Sequence, residues 1–232
     1  MTPEEQALSD AAHRYIKEHS DEVIKQFSGN SVPVATPVSL FMAGSPGAGK
    51  TEVSKGLIRQ FDTMPVRIDA DEIRAMCPGY TGANAHVFQK AATKGVHILY
   101  DHVLAKGLHA ILDGTFAYAD AIQNIQRSID RGRKTELWFV YQEPTRAWEF
   151  TKAREAIESR RVSKETFIKG FMKSKDNAKE AKAHLGSRLN LNLLIKNLNN
   201  TDGTLHLNIQ SEELDRYTAP AYTQEELDKL LV

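Results

Sequence analysis

One eight-residue stretch constrains this chain more than any other. Residues 44–51 read Gly-Ser-Pro-Gly-Ala-Gly-Lys-Thr, which fits the pattern G-x-x-x-x-G-K-[ST] of loops that bind nucleotide phosphates. The apolar run before it, residues 38–43, predicts a buried strand, and residues 52–58 predict a helix. Glycines allow the tight turn that points backbone N–H groups and a helix N-terminus at one anion. The stretch therefore predicts a nucleotide site, against the alternative of a glycine-rich turn without a ligand.

The groups of this loop have separate predicted roles. We expect the Lys50 ammonium to reach the β and γ phosphates and the Thr51 hydroxyl to bind Mg²⁺. The nucleotide phosphates would contact the backbone of the remaining binding positions, which are Gly44, Ser45, Gly47, Ala48 and Gly49. The sequence has no Asn-Lys-x-Asp motif for reading guanine. The predicted cofactors are therefore ATP and Mg²⁺.

Length and composition exclude several classes of protein. The 232 residues suffice for one α/β domain spanning 1–232, with a core at about 37–210 and an amphipathic helical segment at 1–30 packed on it. An alternative for that segment is regulation of the nucleotide site. The 30 basic and 30 acidic residues balance, so we expect neither nucleic acid nor membrane partners. The lone Cys77 excludes an intrachain disulfide, and the absence of a signal-like N-terminus predicts a cytoplasmic protein.

Strand and helix patterns alternate along most of the chain. Further strands are predicted at 65–68, 108–115 and 135–141, and helices at 83–106, 120–131 and, for the most part, 145–183. Closing strands at 191–195 and 204–209 would flank a turn at 199–203, before a last helix at 225–231. This alternation predicts a parallel sheet flanked by helices, with ligands at the carboxyl ends of the strands.

Asp113 follows the predicted strand at 108–115 and is a candidate magnesium ligand. Proteins with a phosphate loop keep an acidic residue at such a strand end, where it holds Mg²⁺ directly or through water. The alternative is an aspartate that satisfies the tight turn at Gly114. Gly114 also stands where mechanical ATPases commonly place a water-polarising glutamate. This difference favours phosphoryl transfer to a bound acceptor over hydrolysis.

Asp69 and Asp71 follow the predicted strand at 65–68. Asp69 precedes Glu72 by three residues, the pattern of a helix N-cap with its reciprocal acid. Asp71 would then lie in the first helical turn and accept a proton from an acceptor hydroxyl. Its alternative role is to place negative charge favourably at a helix N-terminus. Arg74, three residues on, can lie beside Asp71 as its partner or as an anion clamp.

Two arginines in the charged helical region are spaced by two helical turns. A continuing helix would put Arg154 and Arg161 on one face, while Arg160 points elsewhere. Two convergent guanidinium groups can stabilise charge on a transferring phosphoryl group. The alternative is a solvated helix face. The eight histidines show no metal-binding spacing.

Taken together, these motifs resemble the zeta toxin family of small P-loop kinases. The resemblance rests on residues 44–51, 68–74, 112–115 and 154–162, with Pro78 and Tyr80, in the order of the family. It implies an adenylate-kinase-like core that phosphorylates a nucleotide sugar with ATP. It also implies that Lys50 and Thr51 hold phosphates and Mg²⁺, that Asp71 is the base, and that Arg154 and Arg161 contact the γ phosphate. Asp113 falls where members have an acidic residue, and Arg74 and Thr115 would face the acceptor.

The resemblance also suggests substrates and partners. Its best-known members phosphorylate UDP-N-acetylglucosamine and are blocked by an antitoxin protein, so the expected acceptor is a UDP-sugar. Members that act on this precursor tend to carry a basic residue after the Gly-Thr turn, where this chain has Phe116-Ala117-Tyr118. A kinase of another metabolite or of an antibiotic is therefore an alternative. A non-catalytic nucleotide-binding component of a toxin–antitoxin pair is another.

Overall fold

A six-stranded sheet forms the centre of the protein. The computed structural model describes residues 1–158, 161–198 and 203–232. In chain order the strands of these residues are β1 (Val38–Ala43), β2 (Val66–Asp69), β3 (Ala110–Asp113), β4 (Lys134–Tyr141), β5 (Asn190–Lys196) and β6 (Gly203–His206). They are arranged as β2-β3-β1-β4-β5-β6, and every neighbouring pair is parallel except β5 and β6. The predicted α/β class is confirmed, with one antiparallel strand at an edge.

Helices surround this sheet. The described helices are α1 (Pro3–Glu18), α2 (Ser20–Ser28), α3 (Lys50–Ile58), α4 (Ala70–Ala75), α5 (Gln89–Lys106), α6 (Ala121–Ile129), α7 (Pro144–Glu158), α8 (Lys164–Leu185), α9 (Ser211–Tyr217) and α10 (Gln224–Leu230). Side chains alternate across a strand, and β1 shows the result. Phe41 joins a core cluster on one face of the sheet, whereas Leu40 and Met42 join another cluster with Leu57 of α3. Both faces of β1 are therefore covered.

The N-terminal segment forms two helices that meet at His19. Ile16 of α1 and Val23 of α2 are fully buried and belong to the same core cluster as Phe41. Both helices pack against α5. An ion pair between Asp10 of α1 and Lys90 of α5 adds to this contact, and Glu5 hydrogen-bonds with His86 just before α5. The predicted helical segment is thus present and packed on the core.

Two predicted boundaries differ from the structure by three residues or more, and each has a local cause. Helix α5 begins at Gln89 instead of residue 83, because residues 83–88 form turns. There the Asn84 side chain donates to Gly79 O and accepts from Thr81 N, which favours a turn over a helix. Strand β6 ends at His206 instead of residue 209, and Asn208 has a left-handed φ of 49° that an extended strand does not adopt.

Helix α9 was not predicted, and the turn expected at 199–203 has its residues 199–202 outside the described residues.

Strand β1 lies between β3 and β4, so the loop that follows it leaves from the middle of the sheet. Strands β2 and β3 end beside each other, with Asp69 opposite Asp113. The fold therefore brings the predicted aspartates to one edge.

Candidate active site

The loop between β1 and α3 has the shape that an anion site requires. Gly44, Gly47 and Gly49 have φ angles of 136°, 72° and 88°, a region that favours glycine. A Cβ at Gly47 would lie 2.0 Å from the carbonyl oxygen of Ala147, so no larger residue fits without a shift. Gly49 is the N-cap of α3 and supplies no side-chain hydrogen bond. The first N–H groups of α3 therefore point at a cradle built from backbone.

Lys50 and Thr51 open α3 beside this cradle. The Lys50 Nζ donates a hydrogen bond to Ser45 O over 2.6 Å, which holds the ammonium across the loop. Ser45 and Ala48 are buried. Thr51 lines the open cleft described below. The residues predicted to bind phosphate are thus adjacent in space as well as in sequence.

Helices α7 and α8 fix the loop from outside. Gly44 N donates to the buried Ser174 Oγ of α8 over 2.6 Å. A Cβ at Gly170 of α8 would meet Pro46 at 3.1 Å, and α7 contributes the carbonyl that crowds Gly47. Sequence reasoning missed Ser174, which lies 130 residues from its partner. No local pattern marks such a contact.

A cleft of about 520 Å³ lies next to Thr51. It joins α3 to the acidic end of β2, to α4 and to α7. Three of the predicted site residues line it together, namely Thr51, Asp71 and Arg154. The other lining residues are Glu52, Lys55, Arg67, Asp69, Glu72, Ala75 and Tyr80. Thr51, the last residue of the phosphate loop, and the expected base therefore open onto the same space.

Asp69 is the N-cap of α4, as predicted. Its Oδ1 accepts a hydrogen bond from Asp71 N over 2.8 Å. The prediction that Glu72 is the reciprocal acid of this cap was wrong, because Glu72 pairs with Arg67. Burial, followed by the negative charges of Asp71 and Asp113, raises the pKa of Asp69 above its ordinary value. The bond from Asp71 N and the charge of Arg67 oppose that rise.

Asp71 sits in the first turn of α4 with Arg74 beside it. The Arg74 Nη1 donates to Asp71 Oδ1, and its Nη2 donates to Gln89 Oε1 at the start of α5. Arg74 is itself buried. The expected contact between Arg74 and Asp71 is therefore present, and it ties the candidate base to α5.

Asp113 is buried at the end of β3 and already has partners. Its Oδ2 accepts hydrogen bonds from Ser54 Oγ over 2.6 Å and from Arg67 Nη2 over 2.6 Å. Burial alone would lower the pKa of Arg67, but the neighbouring charges of Asp113, Asp69 and Glu72 raise it overall, so the guanidinium stays charged. Neither Ser54 nor Arg67 was predicted. The available signal was an arginine inside a predicted strand, two residues before an aspartate, because a charged residue in such a position usually requires a charged partner.

Thr115 lies just beyond β3, outside the residues that line the cleft. Its carbonyl accepts from Gly44 N over 3.3 Å, which links the Gly-Thr turn to the phosphate loop. The next residue, Phe116, is fully buried and has a φ of 61°. Asn177 of α8 donates to Phe116 O over 2.8 Å and stabilises this conformation. The apolar residue after the turn therefore packs into the core.

The two predicted arginines do not share a helix. Helix α7 carries Arg154 into the cleft and ends, as described, at Glu158. Arg161 is exposed, lies in no helix and precedes α8, so the expected common helix face was wrong. Arg160, the other arginine considered, lies outside the described residues.

Comparison with known protein families decides the classification. The sequence model of the zeta toxin family matches residues 5–206, which is most of the chain. The chain belongs to the zeta toxin family. Because this family is kinase-like, membership supports a phosphotransferase as the general class of activity. No curated protein sequence matches the chain.

Solved structures of similar fold include toxin–antitoxin proteins. A chain of the PezAT chromosomal toxin–antitoxin system of Streptococcus pneumoniae aligns with a TM-score of 0.71 at 17% identity, covering 96% of this chain and 94% of that one. A chain of the AvrRxo1-ORF1:-ORF2 complex with ATP aligns with a TM-score of 0.63 at 14% identity, covering 92% and 73%. These similarities confirm the P-loop fold expected for a zeta toxin family member.

The site residues fit a nucleotide and a metal ion held largely by its phosphates. The uncapped N-terminus of α3 and the glycine cradle suit phosphate. Within the described part of the chain, no group of three or more His, Cys, Asp or Glu residues is placed to hold a metal. Magnesium commonly takes one or two protein ligands and completes its shell with phosphates and water.

No described helix is long and apolar enough to span a membrane.

Proposed function

We propose that this zeta toxin family protein is an ATP- and Mg²⁺-dependent kinase that phosphorylates a hydroxyl of a bound small molecule. The expected acceptor is a UDP-sugar such as UDP-N-acetylglucosamine. The observation that carries the proposal is the cleft in which Thr51, Asp71 and Arg154 meet beside the phosphate loop. A purely nucleotide-binding protein does not need a carboxylate and an arginine facing that space.

The proposed reaction uses each side of the cleft for one task. Backbone N–H groups of the loop and Lys50 hold the ATP phosphates. Asp71 accepts the proton of the acceptor hydroxyl as its oxygen bonds to the γ phosphorus, while the bond to the bridging oxygen of ADP breaks. Arg154, which lines the cleft, stabilises the charge of the transferring group, and the family resemblance alone supports the same role for Arg161. Thr51 and Asp113 are the residues that would hold Mg²⁺, which would neutralise phosphate charge when bound.

Remaining contacts would orient the acceptor. Arg74 is proposed to keep Asp71 aimed at the hydroxyl, and Thr115 is proposed to bind the acceptor from the turn after β3. Because no cation follows Thr115, a kinase of another metabolite or of an antibiotic is the second candidate. The PezAT similarity makes an antitoxin the proposed protein partner.

Two variants test the assignment of base and phosphate ligand. Asp71→Asn should lower kcat by about 10²–10⁴-fold, the usual contribution of a general base, while leaving ATP affinity nearly unchanged. Lys50→Ala should abolish transfer. The measurements are acceptor-dependent ADP release and calorimetric binding of a non-hydrolysable ATP analogue. Asp101→Asn is the matched control, since Asp101 is paired with Arg127 and lies outside the cleft lining.

The outcomes separate the alternatives. Full turnover by Asp71→Asn would remove Asp71 as the base. Tight nucleotide binding by the wild type, with no acceptor that stimulates ADP release, would favour the non-catalytic nucleotide-binding component. Stimulation by an aminoglycoside or another metabolite, with none by UDP-sugars, would select the second candidate acceptor class.

A further inference from the structure

Arg67 occupies an unusual position for a charged residue. It lies in the middle of β2, its side chain is only 10% exposed, and it lines the cleft. Charged side chains are rarely this buried unless they are paired. Its partners therefore indicate what the position requires.

One guanidinium contacts three carboxylates at the edge of the site. Arg67 Nη2 donates to Asp69 Oδ2 and to Asp113 Oδ2, each over 2.6 Å, and Nε donates to Asp113 Oδ2 over 3.0 Å. Nη1 donates to Glu72. Asp69 and Asp113 stand opposite each other at the ends of β2 and β3, so they would repel each other without a shared cation. Arg67 supplies that cation.

Two of the carboxylates that Arg67 contacts make further contacts on different sides of the site, Asp113 toward Thr51 and Asp69 toward Asp71. Asp113 also accepts from Ser54 Oγ, which lies 3.0 Å from Thr51 O at the start of α3. Asp69 accepts from Asp71 N through its other oxygen. Along these contacts, Arg67 is three steps from the backbone of Thr51 and two steps from the backbone of Asp71.

We propose that Arg67 is a positioning residue that sets the magnesium side of the site and the base side in register. It acts through Asp113 and Asp69 and is not assigned a contact with substrate. The inference rests on the proposed function for the identity of the two sides. Groups that orient a metal-associated carboxylate in this way typically change metal affinity or activity by about 10–100-fold when they are removed.

The test compares Arg67→Met and Arg67→Lys with a matched buried arginine. Arg133 is buried at the other end of the sheet, where its Nε donates to Ser39 Oγ over 2.7 Å, so Arg133→Met is the control. Three quantities are measured for each variant. They are the affinity for a non-hydrolysable ATP analogue with and without Mg²⁺, kcat with the acceptor, and the midpoint of thermal unfolding.

Arg67→Met should lose about 10–100-fold of the affinity gained from Mg²⁺, with metal-free affinity nearly unchanged. Its kcat should fall over the same range. Arg67→Lys keeps the charge but not the forked donors, so it should show an intermediate loss. Arg133→Met should lower the thermal midpoint and keep the wild-type gain from Mg²⁺. This pattern supports the positioning role.

The contrary results are equally specific. A thermal midpoint lowered by Arg67→Met, with wild-type magnesium gain and wild-type kcat, would make Arg67 a purely structural ion pair and overturn the inference. If Arg67→Met does not fold, wild-type magnesium gain in Arg67→Lys overturns it. If the wild type transfers no phosphate but Arg67→Met still loses the magnesium gain, the proposed function fails and the role of Arg67 stands.

Discussion

The proposed phosphate side and the proposed acceptor side of the site are built from different groups. On the phosphate side, the binding groups are backbone N–H groups, and three glycines with positive φ angles shape them. On the proposed acceptor side, the groups are the carboxylates of Asp69 and Asp71, held by Arg67 and Arg74. The first depends on chain conformation, and the second depends on side-chain pairing.

This difference explains how each side can change. A backbone cradle tolerates almost no substitution at Gly44 or Gly47, because a Cβ at either position collides with a neighbouring carbonyl. A side-chain network can exchange its members and so can alter the acceptor while the phosphate chemistry stays.

Gly47→Ala should disable the phosphate side. The positive φ alone costs about 1–3 kcal/mol for a residue other than glycine, and the added Cβ would also meet Ala147 O. We expect loss of measurable binding of an ATP analogue and a lower free energy of unfolding in urea. Gly56→Ala in α3 is the control, because a Cβ there meets nothing within 4 Å.

The control should shift stability in the opposite direction. Replacing a glycine inside a helix by alanine stabilises by about 0.5–1 kcal/mol, and ATP affinity should not change. Wild-type nucleotide affinity in Gly47→Ala would contradict the view that backbone shape makes the phosphate side.

Ser174→Ala tests the tertiary support of the same loop. It removes the nearer of the two acceptors of Gly44 N and leaves only Thr115 O at 3.3 Å, and a hydrogen bond of this kind contributes about 0.5–1.5 kcal/mol. We expect a stability loss of that size together with weaker binding of the ATP analogue. Ser28→Ala removes a hydrogen bond within α2 and should affect stability alone. Unchanged nucleotide affinity in Ser174→Ala would show that the loop holds its shape without α8.

The smallest expected effect concerns charge on the acceptor side. The pKa of Asp69 is raised in the folded protein, so its protonated form stabilises the fold and this contribution is lost as the pH rises. Asp69→Asn mimics the protonated form and keeps a good N-cap. The two proteins should be equally stable well below pH 3.8, the ordinary pKa of this group, and the variant should become the more stable one as pH rises above it. Urea unfolding across this range measures the difference.

An opposite sign would be informative. If Asp69→Asn is less stable than the wild type at neutral pH, the ion pair with Arg67 outweighs burial and the repulsion from Asp71 and Asp113. The acceptor side would then be held by attraction alone.

The sequence predicted the phosphate side better than the acceptor side. Strand β1, the loop and α3 lie within about twenty residues, so local pattern was sufficient to place Lys50 and Thr51. Asp69 and Asp71 were placed correctly at the start of α4, because capping is also local. Arg67 links Asp69 to Asp113, which lies 46 residues beyond Arg67 in the chain. The only local sequence signal for this contact is an arginine inside a strand. The prediction that Arg154 and Arg161 share a helix face was wrong because it assumed one uninterrupted helix.

The most direct test is phosphorus NMR of the protein with Mg-ATP and an acceptor panel led by UDP-N-acetylglucosamine. Wild-type protein and Asp71→Asn are compared under the same conditions. The proposal predicts a new phosphomonoester resonance, with matching formation of ADP, in the wild type and almost none in the variant. Appearance of only ADP and inorganic phosphate with every acceptor, or an equal product resonance in Asp71→Asn, would contradict it.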